Sequence, residues 1–433
     1  MRPLPGLLLA SLSMPALAAL SPAETTIAKA VDADAATAIT LLEQLVNVNS
    51  GSLNLKGVTQ VGTMMRGQLE PLGFQVTWVP MAETGRAGHI VARHKGSGRG
   101  RKMLLIGHLD TVFEPDSPFQ KYVRTGDTAV GPGVNDDKGG MVVMVTALKA
   151  MRAAGTLKAA DITIVLTGDE ERTGAPLDKA RADLIAAGKW ADVALDFEGL
   201  AREDGKDMGS IARRSSTSWV LTATGRAAHS SGVGEASGYG ANYELIRILD
   251  AFRRELPEQD LTYNVGVMAG GSVQGHDAGG VALTASGKTN VIASAAEARG
   301  DLRAISAEQQ ARVKAKMAAI VAQHLKGTDA KLDFNPDGYP AMGPTAGNRA
   351  LLAKLNGVNA DLGLPEMAPL APVKRGAGDI GFVAEDTDGL VGLGTAGKGD
   401  HAEGESVDLK SLPVQAKRAA ILMSRLAVEK GKK

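Results

Sequence analysis

Apolar residues recur at helical spacing twice near the start of the chain, at Ile39, Leu42 and Val46 and then at Val58, Val61, Met65 and Leu72, with Gly73 placed to cap the second run. Both runs read as amphipathic helices. Short apolar runs of strand length follow over 76–79, 90–92 and 103–106, and the last is apolar throughout, as a strand buried on both faces must be. The pattern then alternates, with a helix over 138–154, a strand over 162–167, a helix over 177–187 and a strand over 193–197. Such alternation predicts an α/β fold built on a mixed, mainly parallel sheet, with chemistry gathered at the carboxyl ends of its strands.

Near residue 213 the texture changes. Strands over 219–224, 263–268 and 295–305 and helices over 239–254 and 307–325 form a block the size of a small α+β domain. Helices over 349–362 and 412–429 then resume the first pattern. The expected organisation is one domain over 24–212 and 328–433, interrupted by an insertion over 213–327.

The first residues add an address. Arg2 precedes an apolar run over 7–12 and the small-x-small site Ala16-Leu17-Ala18, so residues 1–18 read as a secretory signal peptide and the destination as periplasmic or secreted. The run is shorter than the ~20 apolar residues a membrane span needs. Of 48 basic residues only Arg2 would be lost on cleavage, leaving 47 against 48 acidic and a net charge of −1. That balance offers nothing to a nucleic acid or an anionic membrane, and points to a small-molecule partner. Cysteine is absent, which excludes disulfides, thiol nucleophiles, Cys-ligated zinc and iron–sulfur clusters together. Metal chemistry must rest on His, Asp and Glu.

Such residues cluster where strands are predicted to end. In Gly107-His108-Leu109-Asp110, positions i and i+2 share a strand face, so Asp110 can accept one ring N–H of His108 while the other nitrogen is free for a metal. A His–Asp pair capping a strand is the simpler alternative. Gly131 to Gly140 contains Asn135-Asp136-Asp137 at the start of a helix, where Asp136 can be a bridging carboxylate or merely an N-cap. Thr167-Gly168-Asp169-Glu170-Glu171 follows another apolar strand; should Glu171 ligate a metal, Glu170 stands beside activated water as a general base, and a solvated acidic loop is the alternative. Glu198 and His401 complete a nitrogen and oxygen donor set suited to two zinc ions, with cobalt or manganese in their place if supplied. The insertion offers His229 to a developing oxyanion, and Arg303 to a carboxylate through its fork, with a surface histidine and an edge-strand arginine as the simpler alternatives. His89, His94, His276 and His324 are assigned to the surface or to local hydrogen bonds.

These motifs, in this order, resemble the zinc exopeptidase family that includes glutamate carboxypeptidase, aminoacylase, peptidase T and succinyl-diaminopimelate desuccinylase, and look most like the carboxypeptidase G branch. The resemblance spans nearly all of the chain after residue 18. It implies that His108 and Glu198 hold one zinc, Glu171 and His401 the other, and Asp136 bridges them. It further implies that Asp110 orients His108, that Glu170 is the general base, and that the insertion is a lid and dimerisation domain. His229 would then reach the active site of a neighbouring subunit, while Asn290 and Arg303 contact the carboxylate end of the substrate. Departures fall on the substrate side: Ala293 stands in place of the usual Pro, Gly168 in place of Thr or Ser, no Thr precedes Asp379, and the 231–240 loop is long. The implied activity is release of a C-terminal amino acid from a dipeptide or N-acyl amino acid. An aminoacylase or dipeptidase is the alternative within the class. A periplasmic solute-binding protein is the alternative outside it, and leaves the ordered acidic motifs unexplained.

Overall fold

The computed structural model describes residues 20–97, 99–276 and 282–431, so the signal-peptide expectation over 1–18 lies outside the described residues. The strand Met103–His108, apolar throughout over 103–106, lies inside a six-stranded sheet ordered Gln75–Pro80, Gly88–His94, Ile162–Thr167, Met103–His108, Val193–Asp196 and Asp388–Val391. Gly88–His94 pairs antiparallel with both of its neighbours, and the last four strands run parallel to one another. Alternation along a strand explains why every residue of Met103–His108 is buried. Met103 and Leu105 enter one core, shared with the helices Pro22–Val46, Lys138–Ala153 and Ser411–Leu426, while Leu104 and Ile106 enter a second core with Leu184, Ile380 and Val383.

Local signals place several element ends. Ser21 and Glu24 close a capping box at the start of Pro22–Val46, and Gly73, with φ 94°, ends the turn Glu70–Leu72 that follows the second helix. The helix expected over 177–187 is instead two, Leu177–Ala180 and Ala182–Trp190, broken at Arg181, whose side chain turns into the interior.

The insertion is a four-stranded antiparallel sheet ordered Thr262–Gly271, Ala295–Arg303, Thr217–Gly225 and Thr328–Phe334. Helices Ala241–Glu255 and Ala307–Val321 cover one face, where Trp219, Leu221, Ala298 and Leu302 meet Ile248, Phe252, Val313 and Met317. Thr328–Phe334 pairs along Thr217–Gly225, so the insertion runs past the expected end at 327. Asp329, Lys331 and Asp333 alternate with Ala330, Leu332 and Phe334 there, and a half-polar strand is easily taken for a loop.

Two short segments connect the domains and pair with each other, Arg213 opposite Met342 and Ser216 opposite Tyr339. A further small sheet is ordered Ala396–Lys398, Ser406–Asp408, Thr128–Val130 and Val123–Thr125.

Candidate active site

His108 closes the strand Met103–His108, Glu170 and Glu171 follow Ile162–Thr167, and Glu198 follows Val193–Asp196. These strands are parallel neighbours, so all of these residues emerge at one edge of the sheet. The remaining two arrive from the small sheet. Ser406 pairs with Val130, and so the hairpin loop carrying His401 lies beside the loop carrying Asp136. His401 has φ 65°, a left-handed backbone that a non-glycine residue holds only where its surroundings insist.

The Asp136 carboxylate spans two imidazoles. Its Oδ1 lies 3.0 Å from His108 Nε2, and its Oδ2 lies 3.2 Å from His401 Nε2. Glu171 Oε2 approaches His401 Nε2 to 3.0 Å. Donor atoms of His108, Glu170 and Glu171 converge in one group, and those of Asp136, Glu171 and His401 in another. The far nitrogen of His108 faces Asp110, with Oδ1 at 3.3 Å and the backbone carbonyl at 3.1 Å.

Asp110 does more than face His108. Its carboxylate also accepts the N–H groups of Glu170 at 3.0 Å and Glu171 at 3.1 Å, and the Ser52 hydroxyl at 2.5 Å. Glu405, which sequence reasoning missed, has a comparable role at the other loop, where its buried carboxylate accepts the N–H of Gly133 at 2.8 Å, Asn135 at 2.8 Å and Asp136 at 2.9 Å. Behind Glu170 lies a buried network that sequence reasoning also missed. Arg181 Nη1 meets Asp169 Oδ1 at 2.6 Å and its Nε meets Asp379 Oδ1 at 2.7 Å, while the Thr167 hydroxyl donates to Asp379 Oδ2 at 2.6 Å. His89 belongs to the same network and not to the surface, being 1% exposed with its Nε2 3.4 Å from Asp169.

Glu198 has partners other than those expected. Its carboxylate meets the Arg213 guanidinium and lies 3.5 Å from Arg375 Nη2, and it enters neither donor group. It still lines the same cavity of about 530 Å³ as Asp136, Glu170, Glu171 and His401, with Arg303 reaching in from the insertion. Arg303 Nε is bound to Asp301 Oδ2 at 2.8 Å. His229 and Asn290 are exposed neighbours on the insertion, joined where the Ser230 N–H meets the Asn290 carbonyl at 2.9 Å, and neither lines this cavity. The His229 ring instead contacts the Ser231 hydroxyl at 2.8 Å.

The electrostatics are those of a carboxylate cluster in need of positive charge. Burial pushes Glu170 well above the usual carboxylate range, with Glu198 and Glu171 adding to the rise against the pull of His108. Burial likewise takes Glu171 to about 7. Hydrogen bonds that its ring donates to the carboxylates of Asp136 and Glu171 raise His401 to about 11. For Asp136, burial opposes ionisation, but His108 and His401 outweigh it and hold the group well below its ordinary value. Positive charge placed among these carboxylates thus favours their ionised forms. Divalent cations fit the same place, since they neutralise the carboxylates and are coordinated by neutral imidazole.

Residues 104–425 match peptidase family M20/M25/M40. The chain belongs to this family. Carboxypeptidase G2 of Pseudomonas sp. (strain RS-16) is 29% identical over 405 residues, 90% of each chain. Succinyl-diaminopimelate desuccinylase of Gluconobacter oxydans is 25% identical over 358 residues, 81% of this chain and 87% of its own. Aminopeptidase PepT from Bacillus cereus shares the fold, with a TM-score of 0.69 at 16% identity over 91% of this chain and 99% of its own. So does a Bacillus subtilis protein described as a dinuclear metal-binding peptidase of family M20, with a TM-score of 0.62 at 16% identity over 91% and 98% of the two chains. The M20 chain is accordingly a peptide hydrolase with the α/β architecture that its strand pattern predicts.

Proposed function

We propose that this M20 peptidase is an exported di-zinc hydrolase that cleaves the amide bond of a dipeptide or N-acyl amino acid and releases the C-terminal amino acid. The observation carrying this reading is the Asp136 carboxylate between His108 and His401, with Glu171 on one imidazole and Glu170 alongside. His108, Asp136, Glu171 and His401 hold the metals in this reading, and Glu198 joins them by turning from Arg213 and Arg375. When bound, zinc, or cobalt or manganese in its place, polarises the scissile carbonyl and lowers the pKa of water.

The chain's own groups do the rest. Glu170 accepts a proton from the attacking water as its oxygen bonds to the carbonyl carbon, and delivers that proton to the amine nitrogen as the C–N bond breaks. Asp110 keeps the His108 ring aligned. Arg303 holds the substrate carboxylate, which sets the amide over the acidic end of the cavity, and Asn290, outside that cavity in this structure, joins it only once the insertion brings it there. His229 donates to the developing oxyanion from the neighbouring subunit of a homodimer formed through the insertion, which accounts for its position outside the cavity of its own chain.

Amine release from a panel of N-acyl amino acids and dipeptides, with and without chelator and with metal content measured, tests the reading. Chelator-sensitive release from substrates bearing a free α-carboxylate is expected. Release that persists after the metal is removed, or that requires a blocked carboxylate, overturns it.

A further inference from the structure

We propose that Tyr339 is a positioning residue for Glu170, and that through it the paired connector carrying the insertion fixes where the base stands. The chain passes between its domains through two segments, and Tyr339 sits on the returning one, opposite Ser216 of the outgoing one. Its hydroxyl donates to the Glu170 carbonyl oxygen at 2.7 Å and accepts from Arg181 Nη2 at 2.8 Å. Arg181 gives that hydroxyl a fixed anchor, because it is fully buried and held by Asp169 and Asp379. The phenol ring packs edge-on against Phe382, with centroids 5.0 Å apart.

The consequence lies in how the Glu170 peptide is held. Its N–H is bound by Asp110, at the end of the central sheet, and its C=O by Tyr339, on the connector. Two different parts of the molecule therefore determine one backbone position, and a rotation of the insertion about the connector is felt at the carbonyl. Burial raises the phenol well above its ordinary range, so it stays protonated and can donate while it accepts from Arg181. Tyr339 lines the cavity as well, but these hydrogen bonds act on the Glu170 peptide, and fixing that backbone aligns the reacting carboxylate.

The inference rests on Glu170 being the base, so Glu170→Gln is assayed alongside. Tyr339→Phe is expected to lower kcat about tenfold, with KM and bound metal per chain within about twofold of the parent. In metal-free protein, amide exchange across residues 168–172 is expected to quicken. Phe382→Leu loosens the ring packing and leaves the hydroxyl, and is expected to lower Tm while kcat stays within about twofold. A folded Tyr339→Phe chain with the parent kcat and exchange overturns the inference. So does a kcat loss matched by Phe382→Leu, or a failure of Tyr339→Phe to fold, since either makes the residue merely structural. Retained activity in Glu170→Gln would instead sink the reading of the base, whatever Tyr339→Phe shows.

Discussion

On the catalytic-domain side of the cavity, Asp136 is tied by its N–H to Glu405, and Glu170 and Glu171 by theirs to Asp110, while on the insertion side Arg303 meets its near neighbour Asp301 and His229 meets Ser231. The first set joins distant parts of the chain through buried carboxylates. The second is local in sequence and partly or fully exposed. Buried charged hydrogen bonds cost several kcal/mol to leave unmade, whereas exposed ion pairs contribute ~0–1 kcal/mol. The groups proposed to react are thus pre-set by the chain, and those proposed to receive substrate are free to change partners at small cost.

That contrast can be broken at either end. Glu170→Gln should remove activity by about 10³-fold or more while metal content stays unchanged, and a smaller loss would show the rigid side to be without a base. His229→Ala should cost about 10²-fold in rate with fold and metal content intact. Mixed with Glu170→Gln chains, it should recover activity through hybrid dimers if the histidine serves the neighbouring subunit. No recovery despite demonstrated subunit exchange would place its role elsewhere.

Smaller effects sharpen the comparison. Burial opposes ionisation of Asp169, yet Arg181, His89 and the Gly174 N–H outweigh it and lower its pKa from 3.8 to about 2. A depressed carboxylate stabilises the fold fully above its unfolded value and loses that contribution as pH falls through the folded one. Urea unfolding between pH 5 and 2 should therefore show about 2 kcal/mol of lost stability that Asp169→Asn no longer displays. Arg303→Ala should raise KM about tenfold with kcat little changed, because its fork is proposed to bind the same carboxylate in ground and transition states. A fall in kcat alone would move Arg303 from holding substrate to serving the transition state.

Much of the architecture was legible because its signals are local. The apolar run at 103–106, the alternation of periods two and 3.6, and acidic motifs at strand ends each depend on neighbouring residues. Where the signal was mixed, reading failed: Thr328–Phe334 hid behind its charged alternate positions, and Arg181 split a helix that its apolar spacing made look continuous. His89 carries no motif around it, yet lies buried against Asp169.

The sequence by itself determined the α/β frame, the insertion, and the His, Asp and Glu types standing at strand ends, because side-chain periodicity and strand direction follow from backbone geometry. Beyond the grouping that the family resemblance implies for His108, Asp110, Asp136, Glu171 and His401, only the tertiary structure decided which of them meet. His401 lies 265 residues from Asp136, Glu405 lies 269 from the N–H of Asp136, and Tyr339 lies 169 from the carbonyl of Glu170. Glu198 has the same chemistry as Glu171 and the same kind of place after a strand, yet two arginines brought by other segments claim it. A buried polar group takes whichever partner packing delivers, and no spacing along the chain encodes that choice.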